Sequence, residues 1–221
     1  MKNKIPIKSK IIIFILLTLV AIGSIAYNKT LNIKHNKNVE SMSKDNKEKN
    51  KDVKKEDEKT KKLEQKCEEG KKAFFDKKYD QAIKMQNEVI KEDPNFYKAY
   101  NIKGITLCYK GNFEEGMKNI DKSLEIKPNF GYARFNKALA YELYNKYDDA
   151  LKWYDKALEI EQYEWSYYGK ASIYGRRKDV ENTVKYLKKA IEICPDVKEE
   201  AKHEADFDNV RDSKEFKDLI K

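Results

Sequence analysis

A helical hairpin is written four times along this chain, at spacings of 34, 34 and 33 residues. Pro94, Pro128 and Pro195 each close a unit, with Gln162 standing in the third place. A large residue recurs 15 places before each of them, at Tyr79, Phe113, Tyr147 and Val180, and a small one three later, at Ala82, Gly116, Ala150 and Thr183. Self-similarity at this period predicts a stacked helical array, in which each unit buries its apolar face only against its neighbours. The expected fold is therefore all-α.

The charge of the chain lies outside that array. Residues 1–62 hold 16 basic and 7 acidic side chains, which leaves 31 of each sign for residues 63–221, so the whole excess of +9 belongs to the N-terminal part. A basic chain invites a nucleic-acid reading, but a neutral repeat region offers no cationic face, and no nucleic-acid partner is expected. Cys67, Cys108 and Cys194 lack metal-ligand spacing, and an odd count argues against a disulfide framework. No metal or cofactor is expected. The sequence contains no phosphate-cradling glycine loop and no nucleophile beside a plausible base, so the chain is not read as an enzyme. Its carboxylates are expected on solvent-facing helix positions and at helix starts.

Residues 11–27 read IIIFILLTLVAIGSIAY, behind Lys2, Lys4, Lys8 and Lys10. Seventeen helical residues rise roughly 25 Å, near the lower limit for a bilayer core of about 30 Å. The segment therefore fits a single transmembrane helix, with residues 1–10 as a short basic cytoplasmic tail and the C-terminal part outside. Ser24-Ile25-Ala26 equally fits a signal-peptidase site, which would release the rest. Residues 28–62 are charged and poor in apolar side chains, so they read as a flexible linker.

Within the second unit, Tyr100, Gly104 and Leu107 form one helical stripe. Gly104 and its equivalents Gly70, Ala138 and Ala171 are all small, as close helix approach requires. Gly111 and Asn145 stand where a hairpin turn needs a left-handed backbone. The second helices open on acids, which favour the helix dipole: Asp80, Glu114, Asp148 and Glu181.

These residues resemble the tetratricopeptide repeat, as do the openings Ala99-Tyr100-Asn101-Ile102-Lys103-Gly104 and Ala133-Arg134-Phe135-Asn136-Lys137-Ala138. The resemblance divides residues 63–196 into units 63–96, 97–130, 131–163 and 164–196, and it implies a right-handed superhelix of four hairpins. Residues 197–221 then supply C-terminal capping helices, with Val197, Ala201 and Ala205 in the first and Phe207, Val210, Phe216, Leu219 and Ile220 in the last. Two departures stand out. Gln162 replaces proline with one residue missing before Glu164, which predicts an irregular junction, and Lys66 and Gln86 replace apolar residues in the first unit, as suits an end repeat.

In this family the first helices line the concave surface. Carried over residue by residue, that lining is Glu64, Cys67, Lys71, Phe74 and Phe75; Lys98, Asn101, Ile105, Cys108 and Tyr109; Tyr132, Phe135, Leu139, Glu142 and Leu143; and Trp165, Tyr168, Ser172, Gly175 and Arg176. The candidate partner-binding residues among them are Phe74, Phe75, Lys98, Asn101, Tyr109, Tyr132, Phe135, Trp165, Tyr168 and Arg176. Seven of the twenty positions are aromatic and five are charged. The basic carboxylate clamp of chaperone-binding relatives is absent. A lining rich in rings suits an extended peptide or an amphipathic helix with apolar anchors. The same rings could instead pack on neighbouring repeats, or stack on sugars.

The resemblance thus implies a protein or peptide ligand, with oligomeric state and partner identity left open. The expected protein is a bacterial adaptor, single-pass in the cell membrane, whose repeat domain lies on the extracytoplasmic side. The alternative is a secreted wall- or glycan-binding protein.

Overall fold

The computed structural model describes residues 57–221. The chain divides into two units, residues 1–61 and 62–221, and the second carries the array. The cytoplasmic tail, the apolar segment 11–27 and the linker up to residue 56 lie outside the described residues. Among the described residues no helix is long and apolar enough to cross a membrane.

Four helical hairpins follow in order. Helix α1 is described over 57–75, so it begins ahead of the boundary at residue 63 that the repeat pattern sets. Its first residues are exposed and polar, and Leu63 is the first to enter the core. The hairpins are α1 with α2 (Tyr79–Glu92), α3 (Tyr97–Tyr109) with α4 (Phe113–Ile126), α5 (Gly131–Leu143) with α6 (Tyr147–Leu158), and α7 (Glu164–Arg176) with α8 (Val180–Ile193). Successive first helices pack side by side, α3 on α5 and α5 on α7.

Each hairpin turn has the same chemistry. Lys77, Gly111, Asn145 and Lys178 all take positive φ, between 59° and 91°. The next residue's amide then reaches back five places to a carbonyl of the finished helix, as in Asn112 to Leu107 at 3.0 Å and Asp179 to Tyr174 at 3.0 Å. Composition signalled only Gly111 and Asn145. At Lys77 and Lys178 the fold imposes a conformation that costs a residue with a Cβ on the order of 1 kcal/mol. Capping side chains start α4 and α8, where Asn112 accepts from the Glu115 amide and Asp179 from the Asn182 amide.

The junction at Gln162 is irregular in a defined way. Helix α6 has 12 residues where α2, α4 and α8 have 14. The Gln162 amide donates to the Leu158 carbonyl at 3.2 Å, and Arg134 donates to the Lys156 carbonyl at 2.8 Å. Side chains thus occupy the carbonyls of the early helix end, where proline closes the other units. The first unit departs from expectation at Gln86, which is fully buried. Its amide donates to the Cys67 carbonyl at 3.0 Å, within the room that Gly70 leaves by lacking a Cβ.

Residues 197–221 form α9 (Val197–His203), a 3-10 turn (Ala205–Phe207) and α10 (Lys214–Ile220). Ala205 lies beyond the end of α9 and is exposed, contrary to its expected place on that helix. Phe207 and Val210 precede the last helix, yet both are buried with Phe216 in the largest core cluster, against Tyr168 and Leu187. Arg211 secures this turn by donating to the Glu204 carbonyl at 2.6 Å and pairing with Asp208 at 2.9 Å.

Candidate functional site

Along the row of first helices runs a groove with an aromatic floor. Three adjoining hollows of about 440, 430 and 420 Å³ share lining residues. Phe75, Tyr132 and Tyr163 join the first two hollows, and Tyr109, Phe135, Leu139 and Trp165 join the second to the third. Rings meet edge to face along it: Phe74 on Tyr109 at 5.2 Å, Phe135 on Tyr163 at 5.0 Å, Trp165 on Tyr168 at 5.4 Å. Edge-to-face contact satisfies the ring quadrupoles and holds each ring in a fixed orientation.

The candidate residues divide into three groups. Phe75, Tyr109 and Trp165 are open to solvent, at 63%, 38% and 36% exposure. Phe74, Tyr132 and Phe135 are half-buried beneath them. Asn101 and Tyr168 are buried, and each supports the floor from below. Asn101 accepts from the Asn136 amide at 3.1 Å, while its own amide NH2 finds no acceptor among the described residues. At the α1 end Lys98 pairs with Glu64 at 2.9 Å, and the Lys71 ammonium lies 5.6 Å from the Tyr132 ring centre. Arg176 sits at the opposite end.

Several transferred lining positions do not reach the groove. Cys67, Ile105 and Cys108 are about 1% exposed and belong to the interhelical core. Burial pushes both thiols up to about 12, so they are unreactive near neutral pH. All three cysteines are free. Gly175 is buried where the Asp206 carbonyl approaches, and a Cβ there would stand 2.6 Å from that oxygen.

One expectation is overturned. Not every carboxylate faces water: Glu142, near the end of α5, is 8% exposed. The Tyr154 hydroxyl donates to it at 2.6 Å, and the Ser172 hydroxyl lies 3.0 Å from its other oxygen. Ser172 also contacts Asp206, whose second oxygen pairs with Arg176 at 2.6 Å. Burial raises Glu142 from the usual carboxylate range to about 7, against the pull of the Tyr154 and Ser172 hydrogen bonds. The Asp206 charge acts in the same direction as burial, and Arg176 opposes both.

This carboxyl couples stability to pH. Between about 4.5 and 7 the folded state holds the proton that the unfolded state has released, so stability falls as pH rises through that window. The expected loss is about 3 kcal/mol. Glu142→Gln retains an acceptor for Tyr154 and should flatten the dependence, measured by urea denaturation at pH 4.5, 6 and 7.5. An unchanged slope in the variant would assign it to other groups.

Sequence reasoning missed Tyr163, Tyr154, Glu204 and Asp206. The transferred lining was confined to first helices, whereas these side chains come from a loop, a second helix and the capping segment. Tyr163 carried one signal, its place beside the shortened junction at Gln162.

Among the described residues no three His, Cys, Asp or Glu side chains are grouped to hold a metal ion. The model of the tetratricopeptide repeat matches residues 97–130, 132–163 and 166–197. No curated protein matches the sequence. One crystal structure of MamA is 20% identical over 64% of this chain and 81% of its own, with a TM-score of 0.50. A second MamA structure is 18% identical over 72% and 85%, with a TM-score of 0.52. A thermophilic TPR protein of Thermus thermophilus is 16% identical over 57% and 71%, with a TM-score of 0.53. At these identities the likeness is one of fold. Residues 63–96 lie outside the repeat match but form the same hairpin with the same left-handed turn residue. Residues 97–130, 132–163 and 166–197 thus match tetratricopeptide repeats, within an all-α array of helical hairpins over the described residues.

Proposed function

We propose that this tetratricopeptide-repeat protein is an adaptor that holds a partner polypeptide in its aromatic groove and is kept at a membrane by residues 11–27. The observation that carries the groove reading is the exposure of Phe75, Tyr109 and Trp165 along one continuous hollow. Rings left open in water while their neighbours are packed offer large contact area at little cost in side-chain entropy. The tether rests on the uncharged run 11–27 and the basic residues before it. Holding a binding module at a surface raises its effective concentration toward partners there. In this reading the array curves as a right-handed superhelix and faces outward from the cell, on the basis of the short basic N-terminus.

Photo-crosslinking in cells tests the proposal, with the probe at exposed Leu143 in the groove. A discrete crosslinked polypeptide is expected, and its loss in Phe75→Ala/Trp165→Ala should be at least tenfold. Phe75→Ala should alter stability by no more than about 0.5 kcal/mol, its ring being mostly exposed, whereas Trp165→Ala should cost about 1 kcal/mol or more, since that ring packs on Tyr168. Equal crosslinking by the double variant would remove the aromatic groove as the binding surface. N-terminal sequencing of the native protein tests the tether: a retained Met1 supports an anchor, and a start at Tyr27 supports release.

A further inference from the structure

The groove changes character at its α7 end. There the third hollow is lined by three carboxylates, Glu142, Glu204 and Asp206, and by one guanidinium, Arg176. Arg176 is engaged by Asp206. Neither Glu142 nor Glu204 makes an ion pair among the described residues. The walls above them include Tyr109, Phe135 and Trp165.

Ser172 adds a constraint of its own. Its hydroxyl lies within hydrogen-bond distance of both Glu142 and Asp206. One hydroxyl carries one proton, so with both carboxylates ionised one of these contacts opposes two acceptors. A proton on Glu142 resolves the conflict. A cation supplied from the groove would resolve it as well, and the ring faces at the rim favour a cation too.

From this geometry we infer that the α7 end of the groove is a subsite for a lysine or arginine side chain of the partner polypeptide, placed beside an apolar side chain on the Trp165 rim. This inference rests on the groove being the binding surface. Charge complementarity selects the occupant, since the lining there is anionic after Arg176 is paired, whereas at the α1 end Lys71 and Lys98 are each matched by a carboxylate, Glu68 at 3.3 Å and Glu64 at 2.9 Å. An acidic side chain would meet Glu142 and Glu204 without compensation. The groups that face Glu142 are Tyr109 from α3, Tyr154 from α6, Tyr168, Ser172 and Arg176 from α7, and Glu204 and Asp206 from the cap.

The test uses 19F NMR of the full chain labelled with 5-fluorotryptophan. The two tryptophans, Trp153 and Trp165, give two signals, assigned by Trp165→Phe. The probes are doubly capped dipeptides, Phe-Lys, Phe-norleucine and Phe-Glu, together with n-butylammonium. Phe-Lys should shift the Trp165 signal with at least fivefold higher affinity than Phe-norleucine, and n-butylammonium should bind more weakly than Phe-Lys. Phe-Glu should give no shift. The Lys preference should grow from pH 6 to pH 8 as Glu142 loses its proton, and shrink at least threefold in Glu142→Gln. Half-buried Glu204→Gln should shrink it in the same sense, which preserves the test if the Glu142 variant folds poorly.

Equal affinity for Phe-Lys and Phe-norleucine would overturn the cationic subsite while leaving the apolar groove standing. Equal affinity for n-butylammonium and Phe-Lys would overturn the polypeptide occupant in favour of a small amine. No shift with any probe would overturn the subsite, and the crosslinking experiment would decide the groove separately.

Discussion

Phe207→Ala is expected to lower stability by about 3–5 kcal/mol, the cost of removing a large buried ring and leaving a cavity. Phe207 is fully buried, 5.5 Å from the Tyr168 ring and 5.3 Å from Phe216. It seals the end of the array against α7, and Gly175 admits the turn that carries it. The loss should appear as a fall in Tm of roughly 10 °C for a domain of this size, followed by circular dichroism. Deletion of residues 197–221 should be harsher in another way. It uncovers Tyr167, Tyr168 and Leu187 together, and an array stripped of its polar end loses solubility. A Tm unchanged by Phe207→Ala would mean that the capping segment is docked but carries little of the fold.

Gly104→Val is expected to cost about 3 kcal/mol, for a different reason. Helices α3 and α4 approach so closely that a Cβ on Gly104 would stand 2.7 Å from the Gly116 carbonyl oxygen and 2.8 Å from the Ile120 amide nitrogen. A Cβ on Gly116 would stand 2.7 Å from the Gly104 oxygen. Backbone cannot move aside as a flexible side chain can, so the helices must separate. The gain in helix propensity on replacing glycine, at most about 1 kcal/mol, does not offset that. Gly111 provides the contrast: a Cβ there meets nothing within 4 Å, and only its φ of 91° is strained. Gly111→Ala should therefore cost about 1 kcal/mol. A ranking in which Gly111→Ala is the more damaging of the two, read from urea denaturation, would refute the close-approach account.

The two variants probe features of unequal legibility. Gly104 was identifiable in advance, because a small residue recurs at the same place in every unit. Gly175 and Phe207 were harder. The ring was assigned to the last capping helix, which begins only at Lys214, and the glycine was assigned to the groove because the repeat pattern places it on that face. What the pattern omits is the capping turn that covers it. Gln86 is a similar case: a polar residue read as a sign of an end repeat is held inside the hairpin by one carbonyl and the space beside one glycine.

The candidate site shows the same division. The repeat placed Phe75, Tyr109 and Trp165 on one side of the first helices together with Phe74, Tyr132, Phe135 and Tyr168, but which of these rings stay open to solvent was decided by packing between repeats. Spacing within 34 residues was thus enough for the helical hairpins, their number and the side of the array that carries the rings, while two of the four turn residues, Lys77 and Lys178, carried no signal of their own. Only the tertiary structure decided that Cys67 and Cys108 face the core, and that Glu142 is buried with Ser172, Asp206 and Arg176 at one end of the groove. Those four side chains come from two repeats and the cap, and a carboxyl's proton affinity depends on which distant charges and apolar walls the chain folds around it.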